Sequence, residues 1–112
     1  MYEGKVDITI FVVLKLVMRI TKDQAQFLKS LIAEKNINAQ VFLFGSRVNS
    51  EAKGGDIDIL ILSETKLSFL AKSNIRLNFC KRFGDQKLDL VNFTFNSTDP
   101  FKELVMLDAI LL

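Results

Sequence analysis

The spacing of apolar residues along the chain predicts alternating helices and strands. Apolar side chains recur at helical spacing in two long stretches, and three shorter runs are almost continuously apolar, as buried strands are. Local signals mark several ends: a capping box at Thr21–Gln24, Gly84 after the second helical stretch, and Asp99-Pro100 before the last helix. The predicted elements are a helix over 21–35, a strand over 39–44, a polar loop over 46–55, a strand over 56–62, a helix over 66–83, a strand over 88–95 and a helix over 101–108. This order indicates one α/β (α+β) domain with helices covering a small sheet.

Both ends of the chain are apolar and admit more than one interpretation. Residues 8–20 are almost all apolar but include two basic residues, and the run is shorter than the ~20 residues that span a bilayer. Acidic residues stand where a signal peptide is basic, so we expect no membrane segment. Residues 1–17 are therefore either an extra strand or an extension ahead of a domain that begins at Met18 and covers 18–112. The tail, 109–112, is expected to pair or pack.

Composition excludes several kinds of chemistry. The 112 residues contain no histidine, which rules out a Ser-His-Asp triad and any His-ligated zinc or haem. The single cysteine, Cys80, rules out a disulfide scaffold and fits a reducing compartment, so we expect a cytoplasmic protein. The net charge of +2 is too small to predict direct nucleic-acid binding. Basic residues in and beside the second helix are interpreted as a solvated face, with contact to an acidic partner as the alternative; they are Lys66, Lys72, Arg76, Lys81 and Arg82.

Three aspartates stand in strand-like surroundings. Asp56 and Asp58 are two residues apart in the run Asp-Ile-Asp-Ile, so on a strand both project from the same face. Asp89 lies between two leucines in the third predicted strand. If that strand lies beside the second, the three carboxylates converge. Carboxylates without His or Cys suit a hard cation such as Mg²⁺ or Mn²⁺, so these residues are the candidate metal ligands. Asp89 could instead pair with Lys87 or an arginine, because an unpaired buried charge is costly.

A candidate phosphate-binding segment follows the first strand. Gly45 permits close backbone approach, the N–H groups that follow can surround a phosphate, and the Ser46 hydroxyl adds a hydrogen bond. Arg47 or Lys53 could pair with a phosphate oxygen. Each signal alone is weak, because a Gly-Ser pair is usually a turn and a lone Asp-x-Asp is often a solvated strand end. Together they match the needs of phosphoryl or nucleotidyl transfer.

These residues resemble the signature of the nucleotidyltransferase superfamily typified by DNA polymerase β. Phe44-Gly45-Ser46, then Asp56-Ile57-Asp58-Ile59, then Asp89 on a later strand match its parts in order. The likeness is closest to the minimal nucleotidyltransferases (MNT), and it covers most of 18–112. In MNT proteins the Gly-Ser-Arg segment is typically followed by Ala-Arg-Gly, and a serine precedes the first aspartate. The chain differs at 48–50, where Val-Asn-Ser replaces Ala-Arg-Gly, and at Gly55, which replaces that serine.

The resemblance implies a polymerase β-like fold and an activity. Family members use ATP and two divalent metals; by analogy Asp56 and Asp58 would bridge both ions and Asp89 would hold the catalytic one. Many members are encoded beside a HEPN-domain ribonuclease toxin and act as its antitoxin: they attach AMP to a tyrosine of the toxin and also bind it directly. The expected partners are therefore ATP and a HEPN protein, and an oligomer is compatible with this interpretation.

Two alternatives remain open from the sequence. The chain could neutralise a toxin by binding alone, with catalysis secondary or absent, although three mutually repelling carboxylates argue against a dead enzyme. It could also transfer a nucleotide to a small molecule, although 112 residues leave little room for a domain that binds such an acceptor.

Overall fold

The computed structural model of the protein describes residues 20–45 and 57–112. Helix α1, Lys22–Lys35, begins at the expected capping box. Thr21 Oγ1 accepts a hydrogen bond from the backbone N–H of Gln24, Gln24 Oε1 accepts one from the N–H of Thr21, and both measure 3.0 Å. These bonds satisfy two of the N–H groups that a helix start leaves without partners. The helix ends at Asn36, whose N–H donates to the carbonyl of Ile32.

Four strands form one mixed sheet. The strands are β1, Gln40–Phe44; β2, Ile57–Ser63; β3, Leu88–Thr94; and β4, Ile110–Leu111. Their spatial order is β3-β2-β1-β4; β1 is antiparallel to β2 and to β4, and β2 is parallel to β3. A parallel pair needs a crossover, which helix α2, Phe69–Phe83, supplies between β2 and β3.

Two further helix boundaries follow from local chemistry. Ser68 Oγ accepts from the N–H of Ala71 at the start of α2, and Gly84 ends that helix with a positive φ of 89°. Helix α3, Pro100–Met106, begins behind Asp99, whose carboxylate accepts from the N–H of Phe101. A proline suits this first helical position because its missing N–H would have had no helical partner.

Both faces of the sheet are covered, and the alternation of strand side chains determines which of the two cores each residue enters. One face packs with α1 and α2 around fully buried residues such as Leu28, Ile59 and Phe79. The opposite face carries Phe42, Leu60 and Leu62 beneath Val105 of α3. Because β-strand side chains alternate, Asp58 and Asp89 belong to this second face, between neighbours that enter the first core.

A buried amide ties the far ends of β2 and β3 together. Asn92 Nδ2 donates to the Ile61 carbonyl and to Ser63 Oγ, both at 3.0 Å, and its Oδ1 accepts from the N–H of Leu67 at 2.5 Å. Ser63 Oγ in turn donates to the Thr65 carbonyl at 2.7 Å. These bonds satisfy the polar atoms of two buried side chains and connect the parallel pair to the segment that leads into α2.

The predicted order of elements is confirmed. The second helix begins at Phe69 rather than near residue 66 because the chain is extended until Ser68 caps it, and the last helix ends at Met106, with a turn over 107–108. The tail pairs, as one alternative expected, through β4 against β1. Residues 1–17, whose role was left open, lie outside the described residues. No helix in the described part is long and apolar enough to cross a membrane.

Candidate active site

Two of the three predicted acids lie side by side. In the parallel ladder of β2 and β3, Asp58 is the direct partner of Asp89. Neighbouring strands are about 4.8 Å apart, so the two carboxylates leave the same face of the sheet as nearest neighbours. Both residues are half-buried. The convergence expected if the third strand lay beside the second is therefore found for this pair.

The backbone of Gly45 lies against the carboxylate of Asp58. Gly45 follows the last residue of β1, Phe44, whose partner across the sheet is Asp58. Its φ of 92° lies in the region that favours glycine, and a Cβ placed there would collide with Oδ2 of Asp58 and lie 3.1 Å from its Cγ. Glycine is thus required twice, for the backbone conformation and for the space. The close backbone approach seen here is to the Asp58 carboxylate, and the approach to a phosphate that the sequence suggested stays a prediction.

The acids stand at the edge of an apolar surface. On the same face, Asp58 is followed two residues later by Leu60, which is fully buried, and Asp89 is followed by the half-buried Val91. Two like charges on adjacent strands repel each other. A positive charge bound between the two carboxylates would relieve this repulsion.

The donor set fits a hard divalent cation. Carboxylate oxygens are ligands that Mg²⁺ and Mn²⁺ prefer, and because neither aspartate is fully buried, water and substrate oxygens could take the remaining positions. The described residues contain no group of three or more His, Cys, Asp or Glu side chains that could hold a metal. The third predicted ligand, Asp56, immediately precedes β2 and lies outside the described residues, so the three-acid site stays a prediction.

Only one of the predicted phosphate-binding residues lies in the described part of the chain. Gly45 is described, whereas Ser46 and Arg47 lie outside the described residues, as does Lys53. The placement of Gly45 at the end of β1, over Asp58, is consistent with a loop that begins beside the acids.

One residue near the site was interpreted wrongly from the sequence. Arg76 was assigned to a solvated helix face, but it is half-buried, and its Nε donates to the backbone carbonyl of Leu88 at 3.0 Å. That carbonyl belongs to the peptide bond that leads into Asp89. A basic residue in an amphipathic helix carries no local signal that separates these two roles, because the bond joins residues twelve positions apart.

The chain is similar to known proteins in both sequence and fold. Residues 26–112 match the family model of polymerase β, nucleotidyltransferase. The chain is 30% identical over 87 residues to a probable protein adenylyltransferase MntA of Haemophilus influenzae. The aligned region covers 77% of this chain and 75% of that protein. It also matches a chain in the solved structure of tri-AMPylated Shewanella oneidensis HEPN toxin in complex with MNT antitoxin, with a TM-score of 0.55 and 20% identity, over 79% of this chain and 70% of that chain. The last likeness concerns the fold.

Proposed function

Because the chain belongs to the polymerase β nucleotidyltransferase family, we propose that it is an antitoxin that transfers AMP from ATP to a hydroxyl group of a HEPN-domain toxin, with tyrosine as the acceptor. The observation that carries the proposal is the direct pairing of Asp58 with Asp89 on adjacent strands. The similarity to a probable protein adenylyltransferase supports a protein acceptor, and the fold likeness to the AMPylated toxin–antitoxin complex supports a HEPN partner.

The transfer is an in-line displacement at phosphorus. The acceptor oxygen forms a bond to the α-phosphorus of ATP, the bond from that phosphorus to the bridging oxygen breaks, and pyrophosphate leaves with the electron pair. Asp89 promotes loss of the acceptor's proton, which passes finally to solvent. Gly45 and Ser46 hold the triphosphate at the end of β1, and Arg47 is the candidate for pairing with a phosphate oxygen.

The acids supply the negative charge that divalent cations need. Asp56, Asp58 and Asp89 would hold two Mg²⁺ ions, with Mn²⁺ as a substitute. When bound, such ions would neutralise charge on the triphosphate and lower the pKa of the attacking hydroxyl. The protein's own task is to keep the carboxylates together on one face of the sheet, and the β2–β3 register does so.

The direct test is the mass of the partner protein. The product of the neighbouring gene, checked for the R-x4-6-H motif of HEPN proteins, is co-expressed with this chain, purified and weighed by mass spectrometry. We expect an added mass of one AMP unit or a multiple, which disappears with Asp58→Asn. Asp85→Asn, a change at an exposed acid in the turn before β3, is the matched control and should leave the added mass unchanged. An unmodified partner in the presence of the wild-type chain and ATP would contradict the proposal.

A second candidate function is inhibition by binding alone. The observation that favours it is the apolar outer surface of α3 and its following turn, where Leu104 is 63% exposed and Leu107 is 77% exposed. Exposed apolar side chains in a cluster commonly mark protein interfaces. The two functions separate when the chain is removed: a covalently modified toxin stays inactive, whereas an occluded toxin regains activity on separation. Transfer to a small molecule is favoured only if neither effect on the partner is seen.

A further inference from the structure

The peptide bond between Leu88 and Asp89 is held from the outer edge of the sheet. Strand β3 pairs with β2 on one side, and within the described residues no strand covers its other side. Backbone groups that point away from β2 therefore need partners from elsewhere. At the start of β3, Arg76 of helix α2 is that partner, with its Nε 3.0 Å from the Leu88 carbonyl oxygen.

The ladder geometry explains why this contact bears on Asp89. The carbonyl of Lys87 points toward β2, where it accepts from the N–H of Ile57 at 3.0 Å. Successive carbonyls along a strand point in opposite directions, so the Leu88 carbonyl points outward, to Arg76. In a trans peptide the N–H lies opposite the carbonyl, so the N–H of Asp89 points back to β2. The peptide unit that carries Asp89 is thus held from both sides.

We infer that Arg76 is a positioning residue, which keeps the Asp89 carboxylate beside Asp58 for the transfer reaction; this inference rests on the proposed function. Asp89 is the second residue of an edge strand, and strand ends at a sheet edge open most readily. The donor itself is rigidly supported, because Ile75 and Phe79 on the same helix are fully buried in the core. A donor on a packed helix therefore restrains Asp89, which lies near the start of an edge strand.

The contact is tested first in the metal-free protein, without any catalytic assay. Hydrogen exchange at the Asp89 amide is measured by NMR in the full chain and in three variants. We expect Arg76→Ala to accelerate this exchange by about tenfold or more, because the restraint on local opening is lost. Arg76→Lys, which retains one donor, should fall between. Arg82→Ala is the matched control on the same helix, since Arg82 stacks on the rings of Phe27 and Phe83, and it should leave the Asp89 amide unchanged.

The second measurement separates positioning from simple stabilisation. Initial rates of AMP transfer are recorded against ATP concentration at a temperature where every variant is folded. We expect kcat of Arg76→Ala to fall roughly 10- to 100-fold, as for a misplaced catalytic group, with partial rescue in Arg76→Lys and a nearly unchanged KM for ATP. A merely structural role would lower the melting temperature and leave kcat of the folded fraction unchanged.

The outcomes are distinct. Unchanged exchange at Asp89 in Arg76→Ala overturns the inference, and so does faster exchange with an unchanged kcat. A wild-type chain that transfers no AMP overturns the proposed function, and with it the role of Arg76 in the reaction; the exchange data then still decide whether Arg76 holds the Asp89 peptide. If Arg76→Ala does not fold, Arg76→Lys provides both readouts.

Discussion

Replacing Gly45 by alanine should damage both stability and activity, for two separable reasons. The first is conformational: a φ of 92° costs a residue with a Cβ about 1–2 kcal/mol. The second is steric: the new Cβ would collide with Oδ2 of Asp58 and lie within 3.2 Å of that residue's own Cβ. If the carboxylate swings off its rotamer to make room, a further ~1 kcal/mol is lost. The sum is about 2–3 kcal/mol of unfolding free energy.

Gly84 offers a matched control for the conformational part. Its φ of 89° is nearly the same, but a Cβ there would meet no atom within 4 Å. Gly84→Ala should therefore lose only the ~1–2 kcal/mol of backbone cost and retain AMP transfer. Urea denaturation followed by circular dichroism gives both free energies, with the m-value as a check that the compared states are alike.

The steric part is isolated by a double-mutant cycle. In an Asp58→Ala background the carboxylate is gone, so adding Gly45→Ala should cost about 1 kcal/mol less than it does in the wild type. Activity gives the complementary measure: Gly45→Ala moves a carboxylate that must stay beside Asp89, and a shift of about 1 Å can lower the rate 10²-fold. Equal losses of stability in Gly45→Ala and Gly84→Ala, with transfer preserved in both, would refute the close approach over Asp58.

Three further predictions follow from the described contacts. Asp89→Asn should abolish transfer and raise metal-free stability by up to ~1 kcal/mol, because Asp58 loses a like-charged neighbour; it should also remove the rise in melting temperature that millimolar Mg²⁺ or Mn²⁺ produces in the wild type. A wild-type chain whose melting temperature ignores both metals, with or without ATP, would count against the site. Asn92→Ala should lower the free energy of unfolding in urea by about 2–4 kcal/mol, since buried backbone groups lose their hydrogen-bond partner. Asn78→Ala on α2 should lower it by only about 0.5 kcal/mol. Thr21→Ala should cost about 1 kcal/mol through loss of the capping box, and an unchanged midpoint would show that the box contributes nothing.

The pairing of Asp58 with Asp89 makes transfer activity sensitive to substitutions elsewhere in β2 and β3. Two acids in direct register repel each other, and Asn92 with its partners strengthens the same two strands at their other end. The hydrogen bonds of Asn92 therefore help to keep β2 and β3 paired at the end that carries Asp58 and Asp89. Variants that weaken the Asn92 connections should lose transfer activity as well as stability, because the register of the acids depends on the same strand pair.

Local patterns were sufficient to predict the elements and the candidate acids. The helix starts at Thr21 and Asp99 and the end at Gly84 each depend on a few adjacent residues, so short-range hydrogen bonding and backbone preference determine them. Strand alternation likewise predicts that an aspartate between two buried leucines points away from their core, as Asp89 does. These conclusions need no knowledge of which strand lies beside which.

Long-range pairing determined the rest. The parallel alignment that puts Asp58 beside Asp89, the passage of Gly45 over a carboxylate, and the bond from Arg76 to the edge of β3 join residues from separate elements. Side-chain periods of 2 and 3.6 residues specify which face a residue occupies but not its neighbour across the sheet. That neighbour is selected only when helices and strands pack together, since register is set by burying all the apolar faces at once.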